Sequence, residues 1–310
     1  MMKTRALVFA GQGAQAVGMG KDLAEAYPEC RALFEKADSV LGFKLSALCF
    51  EGPIEELTKS SNCQPAIFAM SMACHAALRR EAGAVTFSGT AGLSLGEWSA
   101  LHVAGALGFE DTLRVLAARG RFMQEACDER QGGMVSVIGL APDKLKEVCT
   151  AAGVEMANLN SAEQTVLSGE KARIVEAEKL AKAAGASRTV VLNVAGAFHS
   201  SLMASAAKKL EAFLAGIPFA RPALPVLANV TGAPHGEPDE IRRTMVKQVT
   251  SPVQWLSTVE RLKASGVTEY LECGPGKVLS GLIKRIDKDA AVSNIQDVAT
   301  LKKALETIRT

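Results

Sequence analysis

The sequence predicts an α/β protein with a smaller unit of different rhythm set into it, and three observations carry that prediction. An apolar run, Arg5-Ala6-Leu7-Val8-Phe9, closes on a glycine-rich turn, Gly11-Gln12-Gly13-Ala14-Gln15. A serine stands between glycines at Gly92-Leu93-Ser94-Leu95-Gly96, behind a short apolar stretch and ahead of a helical one. Between about Gly132 and Asn193 the alternation changes to strand, helix, strand, strand, helix, strand.

Taken in order, residues 5–9 read as the first strand, and helical patterns follow the glycine-rich turn to about Leu41. Gln64-Pro65-Ala66-Ile67 opens a helix with proline near its first turn, running to about Glu81. Residues 85–87 with 90–91 are β-branched and apolar, hence strand, and Glu97-Trp98-Ser99-Ala100-Leu101-His102 starts the next helix. Strands are expected at 134–138, 154–158, 165–168 and 188–193, with helices at 142–152 and 171–184; that order is the ferredoxin-like pattern. The parent unit resumes near Phe198 with a strand at 225–229, a helix at 252–264 and a strand at 269–272. Gly274-Pro275-Gly276 then turns into a last helix system. The expected division is a large unit of residues 1–130 and 198–310 and an inserted one of residues 131–197.

The 310 residues, 48% apolar and 22% charged, suffice for a large core. Net charge is +2 with no basic run interleaved with aromatics, so nothing points to nucleic acid, and 284–288 reads as a solvated helix face. Lys3 and Arg5 precede an apolar run that stops at Gly11, too short for a signal peptide or membrane span, and a cytoplasmic location is expected. Seven scattered cysteines have no metal or disulfide spacing and read as reduced core filler; no metal and no cofactor are expected.

The chemistry starts at Ser94. On a tight strand-to-helix turn its neighbours two residues away must be small, which Gly92 and Gly96 satisfy, and the helix start would aim N–H groups at an oxyanion. A packed turn with a solvated serine is the alternative. A serine nucleophile needs a base, and of four histidines His75 and His102 fall in helical patterns and His235 in a polar turn that reads as solvated. His199, between a strand end and a helix start, remains, unless it is a packed or capping residue. On a helical wheel over 111–126, Val115, Leu116, Phe122, Met123 and Ala126 share a face, Arg114, Arg121 and Glu125 oppose it, and Arg119 falls within the apolar side. A guanidinium there needs an anion, either an internal carboxylate or a substrate's. Gln12 could offer a backbone N–H beside that of Leu95; the turn lacks the lysine and hydroxyl of a phosphate loop.

Together these residues, with Ala157-Asn158-Leu159-Asn160-Ser161, Ala197-Phe198-His199-Ser200, Gln248, Pro252-Val253-Gln254-Trp255 and Gly274-Pro275-Gly276-Lys277-Val278-Leu279, resemble the malonyl-CoA:acyl carrier protein transacylases, over nearly the whole chain. The resemblance implies an α/β-hydrolase-like large domain with a ferredoxin-like insertion, acting in fatty acid synthesis; a monomer is expected. It implies that Ser94 attacks the malonyl thioester with His199 as base, that the N–H groups of Gln12 and Leu95 hold the oxyanion, and that Arg119 grips the malonyl carboxylate. Gln248 would orient His199 through its backbone carbonyl, and malonyl-CoA and acyl carrier protein would be the partners. Two positions depart from the family: Leu93 stands where histidine is usual, and Ala10 where proline is frequent. Leu95 and Ala197-Phe198 match the pattern that accompanies malonyl selection. Three other readings stay open: a serine hydrolase delivering the acyl group to water, a non-catalytic subunit of a larger synthase, and a transacylase of polyketide assembly.

Overall fold

The computed structural model describes residues 4–308. Lys3 and the outermost residues of the expected large unit therefore lie outside the described residues. Two sheets organise the chain. The first holds β1 (Arg5–Phe9), β2 (Gly89–Gly92), β7 (Glu269–Cys273) and β8 (Ala291–Ile295), in the order β2-β1-β7-β8 and parallel throughout. The second holds β3 (Gly132–Ile138), β4 (Glu155–Leu159), β5 (Gln164–Glu170) and β6 (Arg188–Val191), in the order β4-β5-β3-β6 with every neighbour antiparallel.

Helices fill the connections. Four early ones, α1 (Lys21–Ala26), α2 (Pro28–Leu41), α3 (Leu45–Glu51) and α4 (Ile54–Thr58), lead into the long α5 (Ser60–Ala82). Next come α6 (Leu95–Val103) and α7 (Phe109–Glu129), then α8 (Pro142–Ala152) and α9 (Lys171–Ala183) within the second sheet's stretch. The chain closes with α10 (Ala204–Leu214), α11 (Pro238–Gln248), α12 (Trp255–Ala264), α13 (Val278–Ile286) and α14 (Val298–Ile308).

The parallel sheet is covered on both faces, which is why β1 reads as an unbroken apolar run rather than an alternating one. Leu7 and Phe9 pack into the helical layer containing α2, α5 and α7, while Ala6 and Val8 pack with α12 and α13 on the other side. In the antiparallel sheet the two faces divide differently. Val135 and Val137 of β3 meet Leu145 and Val148 of α8 and Ile174 and Ala177 of α9. The alternate residues Met134 and Ser136 therefore point away from those helices, into the cleft between the sheets. Strand β4 is tied to the large sheet's side of the molecule by backbone bonds between Val253 and residues 157 and 159.

Several expected elements move. Residues 85–87 are not strand, because β1 begins at Arg5 and its register reaches only Gly89. The expected strand at 225–229 reduces to single bridges from Val226 to Thr90 and from Leu227 to Pro234, after which the chain turns. Val253 bonds β4 and Gln254 bonds Asn229 through their backbones, so the helix expected from 252 starts at Trp255. Helix α5 begins four residues before Gln64 and carries Pro65 in its interior, where its ring leaves one carbonyl without a helical donor. Here tertiary packing overrides local propensity: α7 crosses so closely that a Cβ on Gly120 would lie 2.1 Å from the Ser60 carbonyl oxygen. Strand β8 falls inside what reads from the sequence as a last helix system. All seven cysteines are free, six of them buried and Cys149 half-buried. Among the described residues no helix is long and apolar enough to cross a membrane.

Candidate active site

Ser94 sits at the break between β2 and α6 with φ 53° and ψ −104°, and His199 has φ 57°. They are the two non-glycine residues at positive φ among the described residues, a conformation that costs on the order of 1–3 kcal/mol and persists only where surroundings enforce it. The enforcement is visible. A Cβ on Gly92 would fall 2.0 Å from the Gly96 carbonyl carbon, and one on Gly96 would fall 2.3 Å from the Phe9 carbonyl oxygen. The Leu93 N–H donates to the same Phe9 oxygen at 3.2 Å. Asn229 completes the clamp: its Oδ1 accepts the Ser94 N–H at 2.7 Å and its Nδ2 donates to the Gly92 carbonyl at 2.7 Å.

The clamp aims the Ser94 hydroxyl at His199, with Oγ 2.8 Å from Nε2. The other ring nitrogen, Nδ1, lies 2.8 Å from the backbone oxygen of Gln248. A carbonyl can only accept, so Nδ1 carries the proton and Nε2 presents its lone pair to the serine. Burial first, and then the Arg119 charge, lower the His199 pKa from 6.5 to about 4, which leaves the ring neutral near pH 7.

Arg119 is 1% exposed, on the inward face of α7 as the wheel requires, while Arg114 and Arg121 are exposed. Its Nη1 donates to Gln64 Oε1 at 2.7 Å, and its Nη2 donates to Gln248 Oε1 at 3.0 Å and to Ser94 Oγ at 3.1 Å. Every one of these acceptors is neutral. The buried Nε has no hydrogen-bond partner, and no carboxylate among the described residues forms an ion pair with this guanidinium. Burial draws its pKa from 12.5 down to about 10, so it keeps its charge at neutral pH. An internal ion pair, the alternative left open by the wheel, is therefore absent among the described residues.

Ser94 and His199 line a cleft of about 570 Å³ between the two sheets, with Gln12 and Leu93 on one wall and Met134 and Ser136 on the other. Its size suits a small acyl group on an extended arm. Gln12 follows Gly11, whose Cβ position is 2.8 Å from the Leu93 carbonyl oxygen, and its side chain donates to Ser60 Oγ at 3.1 Å. Leu95 opens α6, where the N–H has no intrahelical acceptor. The arrangement has what nucleophilic acyl transfer needs: an oriented hydroxyl, a neutral base on it, a helix start behind it and a fixed cation beside it.

The structure also brings in residues the sequence reading passed over. His235, expected to be solvated, has a side chain only 1% exposed, with Nε2 2.6 Å from Glu97 Oε1. The polar turn around it is open, but the ring folds inward beneath α6. Glu97, Gln64 and Asn229 are fully buried. Glu97 and Gln64 did leave a trace, as polar residues inside otherwise apolar helical stretches. Asn229 and His235 left none, because only the path of the chain after β2 brings them under the serine.

A family model for the acyl transferase domain matches residues 6–308. The chain belongs to the acyl transferase family. Within that family it is 41% identical to the malonyl CoA-acyl carrier protein transacylase of Bacillus subtilis, over 99% of this chain and 98% of that one. The enzyme of the same name from Escherichia coli K12 is likewise 41% identical, over 97% and 98% of the two chains. Among solved structures, a malonyl-transacylase in complex with its type II polyketide synthase acyl-carrier protein superposes with a TM-score of 0.95 at 41% identity, covering 98% of this chain and all of that one. The mixed parallel and antiparallel architecture described above is thus shared with solved members of this acyl transferase family.

Proposed function

We propose that this acyl transferase moves a malonyl group from malonyl-CoA to the phosphopantetheine thiol of acyl carrier protein through a malonyl ester on Ser94. The observation that carries the reading is the Arg119 guanidinium, buried without a carboxylate partner and 3.1 Å from the hydroxyl that His199 contacts. A dicarboxylic half-thioester offers the missing anion while bringing its carbonyl to the serine.

Ser94 Oγ attacks the thioester carbonyl and its proton passes to His199 Nε2. The oxyanion is held by the N–H groups of Gln12 and Leu95. Collapse breaks the carbon–sulfur bond, and the CoA sulfur leaves with the proton from His199. The carrier thiol then enters, gives its proton to the same nitrogen, attacks the ester carbonyl and releases Ser94, which recovers its proton. Gln248 orients the ring through its backbone carbonyl where a hydrolase uses a carboxylate, a neutral arrangement that lets the imidazole stay neutral between steps. The likeness to transacylases over nearly the whole chain supports transfer to a thiol rather than to water.

The parallel-sheet part, residues 1–130 and 198–310, is read as an α/β-hydrolase-like domain and residues 131–197 as a ferredoxin-like insertion, supported by the strand order β4-β5-β3-β6. The protein is read as a cytoplasmic monomer of fatty acid synthesis. A polyketide carrier is the second acceptor, supported by the likeness to the transacylase solved with one; comparing transfer rates to the two carriers separates them. The central test is intact mass after brief mixing with malonyl-CoA. The expected outcome is a malonyl-sized gain that requires Ser94 and disappears when a carrier thiol is added. Free malonate without a lasting adduct would instead make the protein a hydrolase, and no reaction at all would make it a scaffold.

A further inference from the structure

Beside the reacting atoms lies a buried carboxylate that takes no part in the steps above. Glu97 is the third residue of α6, fully buried, with Oε1 2.6 Å from His235 Nε2. Its Oε2 accepts from the Gln248 side-chain Nε2 at 2.6 Å and from the Asn229 backbone N–H at 3.1 Å. The Gln248 amide also donates to the Ser94 carbonyl at 2.9 Å, and its oxygen accepts from Arg119. One glutamine thus touches the serine's backbone, the base and the cation.

An amide can sit in two orientations that exchange its oxygen and its NH₂. Turned over, Gln248 would set its NH₂ against the guanidinium, donor against donor, and its oxygen against Glu97 and the Ser94 carbonyl, acceptor against acceptors. A carboxylate only accepts, so Glu97 favours one orientation strongly. We infer that Glu97, anchored by His235, is a positioning residue that fixes the Gln248 amide with its oxygen toward Arg119 and so holds the guanidinium where it receives the substrate carboxylate. The inference rests on the malonyl reading given above. Glu97 is also the charge that opposes the fall in the Arg119 pKa caused by burial.

The test compares Ser94 loading from malonyl-CoA and from acetyl-CoA, which has no carboxylate, in the unaltered protein, Glu97→Gln, Gln248→Met and the double variant. Glu97→Gln is expected to lower the malonyl-to-acetyl ratio of kcat/KM by about tenfold, a coupling typical of residues in one hydrogen-bond network. The double variant should lose no more of that ratio than Gln248→Met alone, because Glu97 acts through the amide. His235→Asn, which loosens the carboxylate from outside the cleft, should shift the ratio the same way by less, and it carries the test if Glu97→Gln does not fold. Equal losses for both substrates would make Glu97 a support of the serine turn alone and overturn the inference, as would losses that add in the double variant. Failure of the malonyl reading has a different signature: the unaltered protein would then show no malonyl preference at all.

Discussion

Ser94 in this protein should remain reactive in acid where an ordinary serine–histidine pair fails. The base must be neutral to take the hydroxyl proton, and His199 has its pKa brought from 6.5 to about 4, by burial first and the Arg119 charge second. At about pH 5 a group of pKa about 4 is about nine-tenths neutral, whereas one at 6.5 is about 3% neutral, so the reactive form differs about thirtyfold. The sign follows from which form is disfavoured: lowering a histidine pKa penalises the cation, so the acid limb moves to lower pH. Acetyl-CoA is the informative substrate, since it brings no charge to Arg119. Its second-order rate of Ser94 acylation, followed by quenched intact mass across the acid range, should hold to about pH 5 and fall toward about 4. Arg119→Met removes the second cause but leaves burial, so its limb should rise part of the way toward 6.5. With malonyl-CoA the bound carboxylate offsets the guanidinium, and the limb of kcat should lie above that of kcat/KM. Half-maximal acylation near pH 6.5 in the unaltered protein, or an unmoved limb in Arg119→Met, would refute this account of the base.

Arg119→Ala should remove most malonyl loading, by about a hundredfold or more for a buried charge pair, while acetyl loading is spared or rises; equal loss of both would remove the carboxylate role. Leu93→His should fold and change the transfer rate only modestly, because Leu93 is half-buried on the cleft wall rather than part of the serine–histidine contact; a collapse in thermal midpoint would show that Gly11 and its neighbours are fitted to leucine. Gly96→Ala puts a methyl against backbone oxygens of Phe9 and Ala10, which cannot yield as a side chain does, and should cost at least about 3 kcal/mol in denaturant unfolding. His75 and His199 both have folded pKa values lowered to about 4, so the unfolded chain takes up protons that the folded one refuses. Their contribution to stability is present above 6.5 and is lost as pH falls toward 4, so the thermal midpoint should drop over that window, and less steeply in His75→Gln.

Much of the protein was determined by local sequence. The glycines around Ser94 announce the strained turn because no other residue fits where a Cβ would strike backbone, and that demand is written in the pentapeptide itself. Arg119 was legible because the helical period places it on an apolar face, which makes a buried charge visible without coordinates. The order of strands and helices in residues 132–191 likewise follows from alternating periods, with boundaries shifted by a residue or two. What tertiary structure alone decided is who meets whom. Helix α5 runs through Pro65 with α7 packed against its first turn, Val226 and Leu227 form only single bridges, to Thr90 and Pro234, and His235 turns inward to a carboxylate 138 residues away. The Gln248 side chain is the sharpest case, since its contacts to Ser94, Glu97 and Arg119 all cross more than a hundred residues of chain. Periodicity and turn chemistry act over a few residues, whereas the partner of a buried polar group is chosen by the packing that excludes water from it, and that choice exists only once the chain has closed.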